Sequence, residues 1–141
     1  VSGRVTVVTT GVIATARHLP LEARVHVVYD AVDRLLADHG PDLLVLEDLY
    51  AEYAFPRTAL LMAHARGVVC LAARQRGVTV LAIAPGELKR AVTGHGGASK
   101  DQVQRGVQRL LALDALPRPS HVADALALAC TGYSRAGGRL P

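Results

Sequence analysis

Cysteine is scarce in this chain: Cys70 and Cys130 are its two thiols. They stand far apart, with no CxxC or His-x-Cys neighbour, and each falls inside a helix-like pattern. Both are read as buried, reduced groups of a cytoplasmic protein. A signal peptide is lacking as well, since Val1-Ser2-Gly3-Arg4-Val5 has no basic stretch running into a long apolar one. The most apolar helical run, Ala59 to Ala73, is interrupted by His64 and Arg66 and is too short to span a bilayer. No Gly-Lys-Ser/Thr stands at Walker A spacing, and no internal repeat is visible. What remains is a chain of 141 residues, 50% hydrophobic, long enough to bury a core as one domain over 1–141, with 134–141 a loose tail.

The net charge of +4 is unevenly spread. Residues 1–50 hold four arginines against seven acids, and residues 51–141 hold twelve Lys or Arg against five acids. A basic half has two readings: solubility, or a face that meets a polyanion and releases its counterions. Charge alone does not choose between them.

Hydrophobic periodicity orders the elements. Val5 to Thr15 is β-branched and predicts a strand with a bulge at Gly11. Glu22 to His39 places Val25, Val28, Val32, Leu35 and Leu36 at helical spacing, and Gly40-Pro41 stops it. Asp42 to Glu47 is a continuous apolar run between acids, the pattern of a central parallel strand covered on both faces. Thr58 to Arg76 predicts a helix apolar nearly all round, either buried in its own domain or shared with a partner. Val78 to Ile83 is the next strand and Pro85 to Thr93 a short helix, followed by the turn Gly94-His95-Gly96-Gly97. Lys100 to Leu113 predicts an amphipathic helix. A last helix runs from His121 to about Tyr133, with Ser120 as its N-cap. Strands alternating with helices predict an α/β fold with parallel central strands.

Three groups of residues carry chemistry. Glu47 closes a strand, and ligands of open α/β sheets gather at such ends; the alternative is a solvated strand terminus. Asp48, next along, points to the other side. His121 and Asp124 share a face of the last helix among small apolar neighbours. There Asp124, in the first turn, either answers the helix dipole or joins Glu47 and His121 around a hard cation. Mg²⁺ needs few carboxylates and completes its shell with phosphate oxygens and water. Lys89, the Gly94–Gly97 turn and Lys100 form the third group, where flexible backbone and flanking cations suit a phosphate.

Taken together, these segments resemble the RuvC-type Holliday junction resolvases. Pro41 through Glu47-Asp48-Leu49-Tyr50 resembles the strand of that family that ends in a catalytic Glu and is followed by an aromatic. Ala63-His64-Ala65-Arg66-Gly67 resembles its small-residue helix. Pro85-Gly86-Glu87-Leu88-Lys89 with Gly94-His95-Gly96 and Ala98-Ser99-Lys100-Asp101-Gln102-Val103 closely follows its lysine- and glycine-bearing signature. Ser120-His121-Val122-Ala123-Asp124-Ala125-Leu126-Ala127 matches its C-terminal motif.

The resemblance implies an RNase H-like fold, with a mixed central sheet and helices on both faces. It implies a divalent-metal-dependent crossover junction endodeoxyribonuclease that uses Mg²⁺ or Mn²⁺, two ions per site, and resolves junctions by paired symmetric nicks as a homodimer. Glu47, His121 and Asp124 match catalytic, metal-binding positions. Lys89 and Lys100 match phosphate-contacting positions, and Tyr50 an aromatic that stacks on an unpaired base. Four-way junction DNA and a branch-migration motor of the RuvA and RuvB type are the implied partners.

Three departures stand beside the likeness. The family opens with an Asp-Pro-Gly strand whose Asp is the central ligand, whereas no Asp precedes Asp30 here, so that strand is expected to be missing from this sequence. The loop from Ala51 to Arg57 lacks the family's polar Asn, and Ile83 stands where Tyr is common. A catalytically incomplete junction-DNA-binding protein of the same fold is therefore the alternative expectation.

Overall fold

The helices Leu21–His39 and Pro85–Thr93 each end at a glycine that turns left-handed. In the computed structural model, which describes residues 4–48 and 56–141 (Pro56 by its backbone alone), α1 spans Leu21–His39 and stops at Gly40. That glycine adopts φ 53°, ψ 50° and donates its N–H to Leu36 O; only glycine takes this left-handed turn without steric cost. The remaining elements are β1 (Leu43–Glu47), α2 (Pro56–Gln75), β2 (Thr79–Ile83), α3 (Pro85–Thr93), α4 (Lys100–Leu110) and α5 (Ser120–Arg135). β1 and β2 form a two-stranded sheet, parallel and joined through α2, which establishes an α/β architecture.

The described residues group into two units. In the first, built from 13–44 and 56–81, α1 lies against α2. Leu36, Ala72 and Ala73 form its buried centre, with Tyr29, Val32, Leu44 and Val78 closing around them. Burying a leucine such as Leu36 contributes about 2 kcal/mol, and the two alanines let the helices approach. At the rim, Arg76 forms a two-pronged pair with Asp33, Nε to Oδ1 at 2.7 Å and a terminal nitrogen to Oδ2 at 3.0 Å. Tyr29 donates its hydroxyl hydrogen to Gln75 Oε1.

The second unit comprises 4–12, 45–48 and 82–141. Here α3, α4 and α5 touch one another pairwise, and Ile83, Val103 and Val107 are its largest fully buried side chains. Two glycines set its spacing. A Cβ on Gly106 would lie 2.4 Å from Val92 O, and one on Gly132 would lie 2.3 Å from Val45 Cγ2. Both distances are far inside van der Waals contact, so α4 meets α3, and α5 meets β1, backbone to neighbour. α4 opens with a reciprocal capping box: Ser99 Oγ accepts from Gln102 N at 3.2 Å, and Gln102 Oε1 accepts from Ser99 N at 2.8 Å.

Several expectations need correction. Val5–Thr15 forms no strand among the described residues, and Val8 and Val12 are 82% and 62% exposed. A strand exists only when a neighbour takes up its N–H and C=O groups, and a β-branched pattern cannot supply that neighbour. β1 is half-buried along its whole length rather than covered. In a two-stranded sheet each strand has an open edge. α4 stops at Leu110, before the expected Leu113, because Ala112 turns left-handed at φ 50° and Leu113 N–H reaches back to Gln108 O. Ser120 is the first residue of α5 and not its cap; Pro119 holds that place, and its carbonyl accepts from Val122 N–H at 2.9 Å. Of the two thiols, Cys130 is buried and Cys70 only partly so.

Candidate active site

Glu47 is the last residue of β1 and is half-buried. Its carboxyl is pushed above its ordinary 4.5 by burial first and by the negative charge of Asp124 second, while the Lys89 ammonium pulls it back down. Three elements thus bring their charges to one place: a strand end, the middle of α3 and the early part of α5. All three lie within one unit of the chain.

The start of α5 at Ser120 changes the reading of Asp124. It lies beyond the first turn, which holds no acid, and helix-dipole stabilisation fades after that turn. Its neighbours Ala123 and Ala127 are fully buried. A carboxylate set among such residues and facing a second carboxylate is poorly explained by solubility.

The other expected site residues are placed as follows. His121 is exposed, one turn before Asp124 on α5, and is not among the groups whose charge acts on Glu47. Lys100 is the exposed first residue of α4. Tyr50 lies outside the described residues, as does most of the loop that follows it. Asp48 is exposed where Glu47 is half-buried, and its N–H donates to Ile83 O at 2.8 Å.

Glu47 and Asp124 fit a hard divalent cation on the chemistry of the pair. The Asp124 charge that helps raise the Glu47 carboxyl is one that a divalent metal ion would offset. Among the described residues, no three His, Cys, Asp or Glu side chains form a metal-holding group.

The glycine-rich turn behaves differently from the expectation that its backbone amides approach phosphate. Gly94 takes φ 78° and closes α3 through its N–H to Arg90 O. His95 N–H donates to Thr93 Oγ1, Gly97 N–H to His95 Nδ1 and Ala98 N–H to His95 O. Those four amides are spent inside the turn. A Cβ on Gly96 would meet the Arg90 guanidinium at 3.1 Å, and that guanidinium lies against the turn.

Periodicity also missed an ion pair that ties the site's helices together. Arg135 Nε, at the end of α5, meets Glu87 Oε1 in the first turn of α3 at 3.0 Å. Both residues are polar and solvated in sequence terms, and no local spacing links them.

Comparisons with known proteins bear on the chain as a whole. Residues 1–132 match the family model for crossover junction endodeoxyribonuclease RuvC. A crossover junction endodeoxyribonuclease RuvC of Rhodopirellula baltica is 42% identical over 123 residues, covering 87% of this chain and 69% of that protein. One from Paenarthrobacter aurescens is 43% identical over 134 residues, covering 95% and 70%. Among solved structures, Thermus thermophilus RuvC in complex with a Holliday junction substrate superposes with a TM-score of 0.86 at 35% identity, covering 96% of this chain and 83% of that one. A second Thermus thermophilus RuvC structure gives 0.81 at 34%, covering 94% and 79%. The family-model match, sequence identity over nearly the whole chain and close structural likeness lead to one conclusion: this chain belongs to the RuvC family of crossover junction endodeoxyribonucleases.

Proposed function

We propose that the chain is a structure-specific DNA endonuclease that resolves Holliday junctions by hydrolysing phosphodiesters, with a divalent cation held by Glu47 and Asp124. The observation that carries this reading is the half-buried Glu47 carboxyl, raised by its burial first and by Asp124 second, and countered by Lys89. When bound, Mg²⁺ or Mn²⁺, one ion or two, supplies an activated water and stabilises the departing 3′ oxygen.

The chain's own residues do the rest. Glu47 and Asp124 hold negative charge at the end of β1, where a cation and a phosphate can share it. His121, on the same helix face as Asp124, moves a proton at the site's rim or adds a nitrogen ligand. Lys89 neutralises the phosphate nearest Glu47, and Lys100 a neighbouring one. Tyr50 stacks on an unpaired base near the crossover. The mixed sheet of the RNase H-like fold, with helices on both faces, belongs to the same reading and is supported by the likeness to the Thermus thermophilus structures.

Paired nicks call for two sites related by a two-fold axis, which a homodimer provides. α2 supports it as the contact, because Leu60, Leu61, Met62 and Leu71 are exposed along a helix of low polarity. A branch-migration motor of the RuvA and RuvB type would deliver the junction, in the cytoplasm. No helix among the described residues is long and apolar enough to cross a membrane.

The second reading, a junction-binding protein with an incomplete metal site, draws on the absence of a three-donor cluster among the described residues. One experiment separates the two. The protein is incubated with labelled four-way junction, duplex, RNA–DNA hybrid and single strand, each with Mg²⁺ or Mn²⁺. Symmetric nicking of the junction that disappears in Glu47→Gln and Asp124→Asn, with junction binding retained, is the expected result. Binding without cleavage by the unaltered protein selects the second reading, and cleavage of the hybrid alone rejects both.

A further inference from the structure

A cationic hollow lies on one face of α4, in the same unit of the chain as Glu47 and Asp124. Thr93, His95, Gln102, Arg105 and Arg109 line this concavity of about 200 Å³. Gln102, Arg105 and Arg109 recur at helical spacing and so share one face of α4. Thr93 at the end of α3 and His95 in the turn after it complete the lining.

The hydrogen-bonding state of each lining group decides what the concavity accepts. The Thr93 hydroxyl is spent internally, donating to Lys89 O at 2.6 Å and accepting from His95 N–H at 3.1 Å. His95 Nδ1 accepts from Gly97 N–H at 2.9 Å, which leaves the ring's own proton on Nε2 as a donor. Gln102 uses its Oε1 to accept from Ser99 N–H at 2.8 Å, leaving its amide NH₂ to donate. Arg105 gives its Nε to Asp101 Oδ2 at 3.0 Å, which leaves both terminal nitrogens available. Arg109 has no carboxylate partner among the described residues. A lone arginine in the last turn of α4 would be accounted for by the helix dipole. Two guanidiniums, an imidazole N–H and an amide NH₂ converging on one hollow, with every acceptor engaged elsewhere, are not.

From this we infer that the hollow binds a backbone phosphate of the DNA, distinct from the one at Glu47, with Arg109 and Arg105 as its main ligands. The ligand class follows from chemistry: the two anionic oxygens of a phosphodiester accept several hydrogen bonds and donate none, and guanidinium forks match phosphate oxygens in pairs. Placement agrees. Thr93 is one helical turn along α3 from Lys89, a rise of about 6 Å, so a strand whose one phosphate meets Lys89 can set another over α4. The inference rests on the resolvase reading for the identity of the polymer.

The test compares the unaltered protein with Arg109→Ala and with Arg105→Ala/Arg109→Ala on one four-way junction, following binding across a salt series and cleavage at saturating DNA. For every phosphate that a variant no longer neutralises, the plot of log affinity against log salt should become shallower by about 1. Affinity at low salt is expected to fall roughly ten-fold for the single variant, kcat at saturation to stay as in the unaltered protein, and Arg109→Lys to recover part of the affinity. Arg109 makes no ion pair among the described residues, and the exposed Asp101–Arg105 pair is worth little, so both variants should keep the thermal midpoint.

Unchanged slope and affinity in the double variant, on a junction the unaltered protein binds and cuts, would overturn the phosphate site while leaving the resolvase reading intact. A fall in kcat equal to the fall in affinity would overturn it too, by placing the arginines in the chemistry. A parallel titration with inorganic phosphate, followed by the His95 and Gln102 side-chain NMR signals, separates the sources. Shifts with inorganic phosphate alone, and none with DNA, would reduce the hollow to a free-phosphate site and refute the assignment. If the unaltered protein cuts no junction, the resolvase reading fails on its own.

Discussion

Gly132 of α5 lies so close to Val45 of β1 that a methyl group on the glycine would stand 2.3 Å from Cγ2 of the valine. The helix that carries Asp124 therefore rests directly on the strand that carries Glu47, and their separation is set by the missing side chain. Gly132→Ala must push α5 outward or force Val45 off its rotamer, at a cost of about 1–3 kcal/mol. A thermal melt should show a clear drop in midpoint. Gly67→Ala, on α2 with nothing within 4 Å of the new methyl, is the control; it should hold or raise the midpoint, because alanine is favoured over glycine inside a helix by up to about 1 kcal/mol. Equal midpoints for the two variants would show that α5 has room to spare.

The carboxyl of Glu47 sits above its usual range, and the sign of each neighbour's effect can be read directly. Removing the charge in Asp124→Asn takes away a repulsion and should lower the Glu47 pKa. Lys89→Ala takes away an attraction and should raise it further. Because the shift is upward, the folded state prefers the protonated acid. The associated stability is present below the ordinary 4.5 and is lost as pH rises through the folded value. Mg²⁺ should depress the same titration. Carbon-detected NMR of Glu47 in the three proteins measures all of this, and movement of the two variants in the same direction would break the proposed charge triangle.

Asp33 behaves in the opposite sense. The Arg76 guanidinium beside it holds its carboxyl below the ordinary 3.8. Its contribution to stability is thus in place above that value and disappears as pH falls through the lower folded one. Urea midpoints for Asp33→Asn should lie below those of the unaltered protein near neutrality and converge with them in acid. A gap that stays constant down to strongly acidic pH would mean that the pair's charge is irrelevant.

The two thiols should be distinguishable by reaction. Cys130 is 3% exposed and burial pushes its thiol pKa up, so it offers little thiolate and little access. Cys70 is partly exposed. An alkylating reagent should modify Cys70 first in the folded protein and both only after denaturation. Early labelling of Cys130 would show that α5 opens more readily than its neighbours.

Helices and strands were legible where periodicity and terminators agreed, as at Gly40, Pro85 and Gly94. The acid closing β1 stood out because an apolar run ended in a carboxylate, and the Ala-rich turn around Asp124 because small residues flanked a charge. What stayed hidden depended on partners distant in sequence. Val5–Thr15 had the composition of a strand without a ladder partner among the described residues. The amphipathic helix from Lys100 was legible, but not that His95 lines a hollow with its Gln102, Arg105 and Arg109, since that depends on how the glycine turn joins α3 to α4. Capping, too, went to Pro119 because its extended conformation, not Ser120's hydroxyl, decided where α5 began.

The pairing of Arg135 with Glu87 gives α5 a role like a tie-rod. Asp124 and Arg135 are eleven positions apart on one helix, about 16 Å along its axis, yet the far end grips the helix on which Lys89 rides. Damage well away from the chemistry, such as a proteolytic nick just past Tyr133, would thus slacken the lysine's approach to Glu47 while sparing both acids.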